Sequence, residues 1–253
     1  MERHYLAFPI REPSPGKVNV VCDFDGTISL EDITDSLLER FADPSWAAVE
    51  EQWLAGKFGS RECMARQVAL VEAGLEELNR YLDTVGIDPA FASFVDACDK
   101  CGDIALSVVS DGIDYAVKRI LANHALSRLR VKANALIALP DRRYRLDFPY
   151  ATADCSVKAG TCKCAIALAE SGSAPPYAPT ILIGDGTSDF CIAAQADFVF
   201  AKDRLLAHCE THAIPYLPFD TFADIERELA QVVGNVDRSA RNSPRLLEIP
   251  SDA

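Results

Sequence analysis

Asp23 and Asp25 stand one residue apart at the end of an apolar run, Val18-Asn19-Val20-Val21-Cys22, and Gly26 and Thr27 follow at once. Two carboxylates so placed can divide a reaction between them, one attacking and the other serving the leaving group. A carboxylate that attacks a phosphoryl group forms an aspartyl-phosphate. Taken alone, the pair reads more simply as a strand that ends in an Asp-Gly turn. Two later segments add to it. Ile104-Ala105-Leu106-Ser107-Val108-Val109 ends in Ser110-Asp111-Gly112, and Thr180-Ile181-Leu182-Ile183 ends in Gly184-Asp185-Gly186-Thr187-Ser188-Asp189. Between them Lys163 opens a helix-like stretch, Cys164 to Glu170. Carboxylates, a hydroxyl, an ammonium and glycine-rich backbone N–H groups suit Mg²⁺-assisted phosphoryl transfer.

Groups so far apart in sequence need a rigid platform. The runs Val18–Cys22, Ile104–Ser110, Ala133–Leu139, Thr180–Ile183 and Phe198–Phe200 read as strands. A hairpin around Asp141–Arg143 is expected to join the third to Leu146–Tyr150. Strands alternate with helical stretches after Ser110, which predicts an α/β fold with a parallel sheet. Open sheets of that kind bind ligands at the carboxyl ends of their strands, where these residues fall. Residues 29 to 102 differ. They lack strand-like runs, and apolar positions recur at helical spacing: Ile33, Leu37, Leu38 and Phe41, then Cys63, Met64, Gln67, Val68 and Val71. Ala174 to Pro179 reads as a Pro-rich loop, and Val236 to Ala253 as a loosely ordered tail.

On these residues the chain resembles the haloacid dehalogenase (HAD) superfamily of phosphatases. Asp23-Phe24-Asp25-Gly26-Thr27, Ser110-Asp111-Gly112, Lys163 and Gly184 to Asp189 correspond in order to its four motifs. The resemblance implies a Rossmann-like core with a parallel sheet, residues 15–29 and 103–235. It implies an inserted helical type 1 cap, residues 30–102, with 1–14 and 236–253 as terminal extensions. It makes Asp23 the nucleophile and Asp25 the acid and base. Asp23, the Asp25 carbonyl and Asp185 would hold Mg²⁺, with Asp189 a ligand directly or through water. Ser110 and the N–H groups at Gly112 would bind the phosphoryl oxygens, and Lys163 would neutralise them. Asp111 is expected to cap a helix starting near Ile113; facing a polar or cationic part of the substrate is the alternative.

Two branches of the superfamily are similar to different parts of the chain. The spacing from Asp23 to Asp35 and the run Val108 to Asp114 resemble phosphoserine phosphatases, with Asp32 at the position that holds the substrate amine. Where that branch has a carboxylate-binding Arg, this chain has Gln67, and its Arg66 lies one residue back, a rotation of about 100° on a helix. Phe41 to Trp46, Cys162-Lys163 and Phe200 to Leu206 resemble the methionine-salvage phosphatases; the Cys-Lys pair is shared with phosphoethanolamine/phosphocholine phosphatases. Asp32 and Arg66 are therefore candidate substrate-binding residues. The substrate is expected to be a small phosphomonoester of the methionine-salvage kind. A phosphoserine- or phosphoethanolamine-type ester, transfer to an alcohol, or a non-catalytic sensor of phosphorylated ligands are the alternatives.

Composition narrows the partners. The chain has 253 residues, 49% hydrophobic and 25% charged, with a net charge of −13. Acidity of that size opposes binding to nucleic acid or an anionic membrane. No apolar stretch is long enough to span a bilayer, and Met1 to Lys17 has no signal-like core, so a cytoplasmic location is expected. Nine cysteines without an export signal read as reduced thiols. Cys98 and Cys101 read as ordinary thiols. Cys155, Cys162 and Cys164 flank Lys163 and lack an obvious fourth zinc ligand, so packing is the expected role.

Overall fold

The structure, a computed structural model, describes residues 18–172 and 177–242. The expected extension 1–14, part of the Pro-rich loop and the end of the tail lie outside the described residues. Strand β1 (Val18–Cys22) is buried along its whole length and forms the centre of a seven-stranded sheet. Helices α1 (Ile33–Phe41), α2 (Trp46–Leu54), α3 (Ser60–Val68), α4 (Leu75–Leu82) and α5 (Phe91–Cys101) follow before the chain returns as β2 (Ile104–Ile113). After β2 come α6 (Asp114–Asn123), β3 (Arg130–Ala138), β4 (Tyr144–Asp147) and α7 (Lys163–Ser171). The other half of the sheet is β5 (Thr180–Gly184), β6 (Phe198–Ala201) and β7 (Tyr216–Pro218). Between and after these strands lie a 3₁₀ turn (Thr187–Asp189), α8 (Phe190–Ala193), α9 (Asp203–His212) and α10 (Phe222–Asn242).

The strand order is β4-β3-β2-β1-β5-β6-β7, with every pair parallel except β3–β4. β1 is flanked by β2 on one side and β5 on the other, so the topological switch falls beside the end of β1. Apolar alternation supplies both faces. Val20, Cys22, Ile181, Ile183 and Phe200 pack with Phe91 and Phe94 of α5 and Phe222, Ile225 and Leu229 of α10. Val21, Val109, Leu182 and Val199 pack with Ile166 and Ala167 of α7, Ile192 of α8, and Leu205 and Cys209 of α9. Covering on both faces is why these strands read as continuous apolar runs.

Several expectations shift. β2 continues past Ser110 to Ile113, and its register against β3 breaks between Val109 and Ile113. β3 starts earlier than Ala133, and β4 lies at Tyr144–Asp147 rather than Leu146–Tyr150. The hairpin itself forms, with Ala135 opposite Asp147 and Ala138 opposite Tyr144. α10 runs through Asn242 where a loose tail was expected from Val236. The segment from Asn235 to Ser243 contains neither Gly nor Pro, so nothing local breaks the helix before Pro244. No described helix is long and apolar enough to cross a membrane.

Helix α10 is anchored by aromatic contact. The ring of Phe222 meets Phe91 edge-on at 4.7 Å and Phe94 at 5.1 Å, and its backbone N–H donates to Asp88 Oδ2 at 3.1 Å. Phe222→Ala is expected to lower the unfolding free energy by about 3–5 kcal/mol, measured by urea denaturation. A loss below about 1 kcal/mol would show that α10 is held elsewhere.

Candidate active site

Asp23 is the first residue beyond β1, and the ladder carries one step further: its N–H donates to the Ile183 carbonyl at 2.9 Å. The chain then folds back on Phe24, whose carbonyl accepts from Ile28 and Ser29 N–H at 2.8 and 2.9 Å. Gly26 sits at φ +70°, and a Cβ there would lie 2.6 Å from Asp185 Oδ2. The turn therefore needs glycine twice, for its left-handed backbone and for the carboxylate pressed against it.

The sheet order brings Asp23, Asp185 and Asp189 together, each offering an oxygen within 4.8 Å of the others. Lys163, the first residue of α7, reaches into this group and is buried to 3% exposure. Its Nζ lies 2.8 Å from Asp23 Oδ1, 2.7 Å from Asp189 Oδ1 and 3.0 Å from Ser188 Oγ. Burial pulls its pKa down, but Asp189 and Asp23 outweigh this and raise it. Thr27 donates to Asp185 Oδ1 at 2.7 Å. Loss of water, and then the charge of Asp23, raise Asp185 to about 6. Burial and Asp23 likewise raise Asp189, against the pull of Lys163. Three carboxylates around one ammonium carry an excess of negative charge. The donor set is all oxygen and is closely gathered, which fits a hard divalent cation such as Mg²⁺.

Asp25 faces the other end of the group. Its Oδ1 accepts from Ile33 N–H at 2.9 Å and its Oδ2 from Ser110 Oγ at 3.1 Å. Burial, followed by the charge of Asp32, raises its pKa well above the carboxylate range. Ser110 in turn accepts from the Gly112 N–H at 2.8 Å. A Cβ on Gly112 would stand 2.5 Å from Asp25 Oδ2, so the backbone approaches that carboxylate closely. All four sequence segments thus converge at the carboxyl ends of β1, β2 and β5.

The remaining candidates are placed differently. Asp32 caps α1, accepting from Asp35 N–H at 2.9 Å, and its charge reaches Asp25. Arg66 pairs with Glu62 one turn away, and its guanidinium lies 4.4 Å over the Phe58 ring. Gln67 donates to Glu50 Oε2 at 2.8 Å. Asp111 does not cap a helix, contrary to expectation. The chain stays extended through Ile113, which takes the cap position of α6 without a side-chain bond. The Asp111 carboxylate instead accepts from Ser60 Oγ and Thr161 N–H, each at 2.8 Å.

All nine cysteines are free. Cys162 is the cap residue of α7, and Cys164 lies in its first turn, pushed up to about 12 by burial and by Cys162, Cys191 and Cys155. Cys191, which sequence reasoning did not connect with this group, touches Ser156 Oγ at 3.3 Å. Among the described residues, only the three aspartates gather closely enough to form a metal cluster. Sequence reasoning also passed over Thr27, Ser188 and Lys202. The first two lie within the motifs themselves; Lys202 bonds the Thr27 carbonyl at 3.5 Å and lowers the pKa of Asp185.

Residues 20–194 match the family model of the haloacid dehalogenase-like hydrolases. A 2-hydroxy-3-keto-5-methylthiopentenyl-1-phosphate phosphatase from Exiguobacterium sp. is 32% identical over 210 residues, 82% of this chain and 94% of its own. The protein of that name from Geobacillus thermodenitrificans is 31% identical over 214 residues, covering 83% and 94%. Among solved structures, a phospho-aspartyl intermediate analogue of phosphoserine phosphatase superposes with a TM-score of 0.59 at 19% identity. That match spans 83% of this chain and 98% of the other. A substrate-bound phosphoserine phosphatase complex gives 0.59 at 17% identity, covering 85% and 99%.

Gly26→Ala tests the packing of the first turn. A left-handed alanine costs about 1–2 kcal/mol, and its methyl displaces Asp185. Lower stability together with weaker Mg²⁺ binding in calorimetric titration is the expected outcome. Unchanged Mg²⁺ affinity would separate Gly26 from the carboxylate group.

Proposed function

The chain belongs to the haloacid dehalogenase-like hydrolases and is a phosphoric monoester hydrolase, and from that premise we propose that it cleaves a small-molecule phosphomonoester through an aspartyl-phosphate on Asp23. The observation that carries this reading is the sharing of one buried ammonium between Asp23 and Asp189. Lys163 and the Phe24 N–H both occupy Asp23 Oδ1, the latter at 2.8 Å. Oδ2 is the less engaged oxygen, with Ser188 Oγ at 3.5 Å, and is the atom assigned to attack.

In this reading Asp23 Oδ2 forms a bond to phosphorus as the ester P–O bond breaks. Asp25, whose pKa burial and the charge of Asp32 push upward, gives its proton to the departing alkoxide. Asp25 then takes a proton from water, the water oxygen attacks phosphorus, and the bond to Asp23 breaks, releasing phosphate. Lys163 fixes Asp23 and offsets the negative charge that gathers at the phosphoryl group. Ser110 Oγ and the Gly112 N–H are assigned to its oxygens. Asp23, the Asp25 carbonyl and Asp185 would hold Mg²⁺, with Asp189 beside them. The ion supplies charge neutralisation where an anionic nucleophile meets an anionic ester.

In this reading the cap lies within residues 30–102 and consists of α1 to α4, while α5, expected to belong to it, packs against the sheet with α10. The similarity to the two methylthiopentenyl-phosphate phosphatases supports a neutral or keto-bearing leaving group over an amino acid. Gln67 supports it too, because a neutral amide already bonded to Glu50 cannot form the charged, two-pronged pair that an Arg makes with a carboxylate. Asp32 and Arg66 remain assigned to the leaving group. The nine free thiols favour a reducing compartment such as the cytoplasm.

Asp23→Asn keeps the shape and removes the attacking charge, so turnover is expected to fall on the order of a thousandfold or more. Mass spectrometry of quenched wild-type enzyme should place the phosphoryl group on Asp23. Substantial turnover by the Asn variant would sink the assignment. A panel of phosphorylated metabolites tests the leaving group. Phosphoserine is expected to rank well below keto-bearing esters, and all activity should vanish with chelator and return with Mg²⁺. If phosphoserine ranks first, the cap reads an amino acid after all.

A further inference from the structure

The Asp111 carboxylate joins three segments that are remote in sequence. Ser60, the first residue of α3, donates to Oδ2 at 2.8 Å. Thr161, two residues before Lys163, donates its backbone N–H to Oδ1 at 2.8 Å. Asn134 of β3 donates Nδ2 to the Asp111 carbonyl at 2.6 Å and to Oδ1 at 3.3 Å, while its own Oδ1 accepts from Thr161 Oγ1 at 3.0 Å. Asp111 lies between Ser110 and Gly112, which bond the Asp25 end of the site. One carboxylate therefore touches a helix of the inserted segment, a sheet strand and the loop that leads to Lys163.

What Ser60 anchors is attached unevenly. Helix α2 has no fully buried residue; Trp46 at its start packs against the core and Trp53 is half-buried. Glu50 ties it to α3, accepting from Gln67 Nε2 at 2.8 Å and from Cys63 Sγ at 3.6 Å. The far end of α3 is held by packing, through Val68 and then Val71 in the core. Its near end meets the body polar group to polar group, at Ser60 with Asp111 and at Arg61 N–H with the Lys158 carbonyl, 3.1 Å apart. A packed end and a hydrogen-bonded end are the parts of a hinge and a latch, since water can replace the polar contacts without exposing apolar surface.

We infer that Asp111 is a positioning residue: it latches the α2–α3 hairpin over the phosphoryl site through Ser60 and, through Thr161, holds the loop that presents Lys163. The carboxylate is thereby committed to protein partners and does not contact the substrate. A carboxylate suits the task better than an amide because all the groups around it are donors, and hydrogen bonds to a charged acceptor are the strong ones. The latch rests on the phosphatase reading only for its kinetic assay.

The test is a double-mutant cycle on Ser60→Ala and Asp111→Ala, read two ways. Hydrolysis of p-nitrophenyl phosphate with Mg²⁺ gives kcat/KM, and hydrogen exchange of peptides covering 46–68 reports the hairpin without reference to activity. Ser60→Ala is expected to lower kcat/KM about tenfold, the worth of one hydrogen bond to a charged group, and to speed exchange in that segment. Its thermal midpoint should fall by only a few degrees, as for the loss of one hydrogen bond in a chain of this length. Asp111→Ala in the Ser60→Ala background should add nothing further to exchange at the start of α3, because the two residues make one bond. Ser60→Thr, which keeps the hydroxyl, should restore both readouts. Wild-type exchange and kinetics in Ser60→Ala would overturn the latch, as would additive effects on exchange. A faster hairpin with no activity in any variant, wild type included, would leave the latch standing and count against the phosphatase reading instead.

Discussion

The site is organised around a problem of charge. Asp23, Asp185 and Asp189 are crowded together at the ends of adjacent strands, and Lys163 is the ammonium placed among them. Removing water from so many like charges is costly, and the attraction to one buried cation offsets only part of it. Burial, and then the charge of Asp23, push both Asp185 and Asp189 upward accordingly. Such a cluster is poor at stabilising a fold and well suited to receiving a cation, which brings charge of the opposite sign. The hydrophobic layers on both sides of the sheet must therefore supply the stability that holds it in place.

That constraint accounts for the turns around the site. β1 and β5 lie side by side, so their trailing carboxylates meet only if the chain after Asp23 curls away within three residues. Gly26 permits the curl at φ +70°, and its bare Cα lets Asp185 close against it. Thr27 then faces Asp185 and bonds it. On the other side of β1, Gly112 lets the end of β2 approach Asp25. The cluster is thus assembled by sheet order, and glycines set how tightly it closes.

The covering helices meet this platform in two physically different ways. α5 and α10 seal one face with aromatic rings and are part of the core. The α2–α3 hairpin packs on the core through Trp46, Met64 and Val68, but the start of α3 meets the body through polar groups. Apolar contacts resist separation because opening exposes surface to water, whereas polar contacts exchange for water at little net cost. Under the latch inferred above, the platform is the rigid part and the hairpin the part able to move.

Much of this was legible in the sequence. A strand buried on both faces must be apolar throughout, so β1, β2, β5 and β6 announced themselves, and the chemistry-bearing residues stood at their ends. The types and spacing of Asp23, Asp25, Ser110, Lys163, Asp185 and Asp189 were enough to suggest phosphoryl transfer. β7 escaped notice because its three residues are too few to show a period. Asp111 was misjudged because a carboxylate ahead of a helix has a ready local role, whereas its actual partners lie 51, 50 and 23 residues away. Cys191 was not linked to the other thiols for the same reason. Local sequence sets backbone preference and periodicity, because those depend on neighbours along the chain. Which side chains meet depends on the order in which strands assemble, and only the tertiary structure decides that.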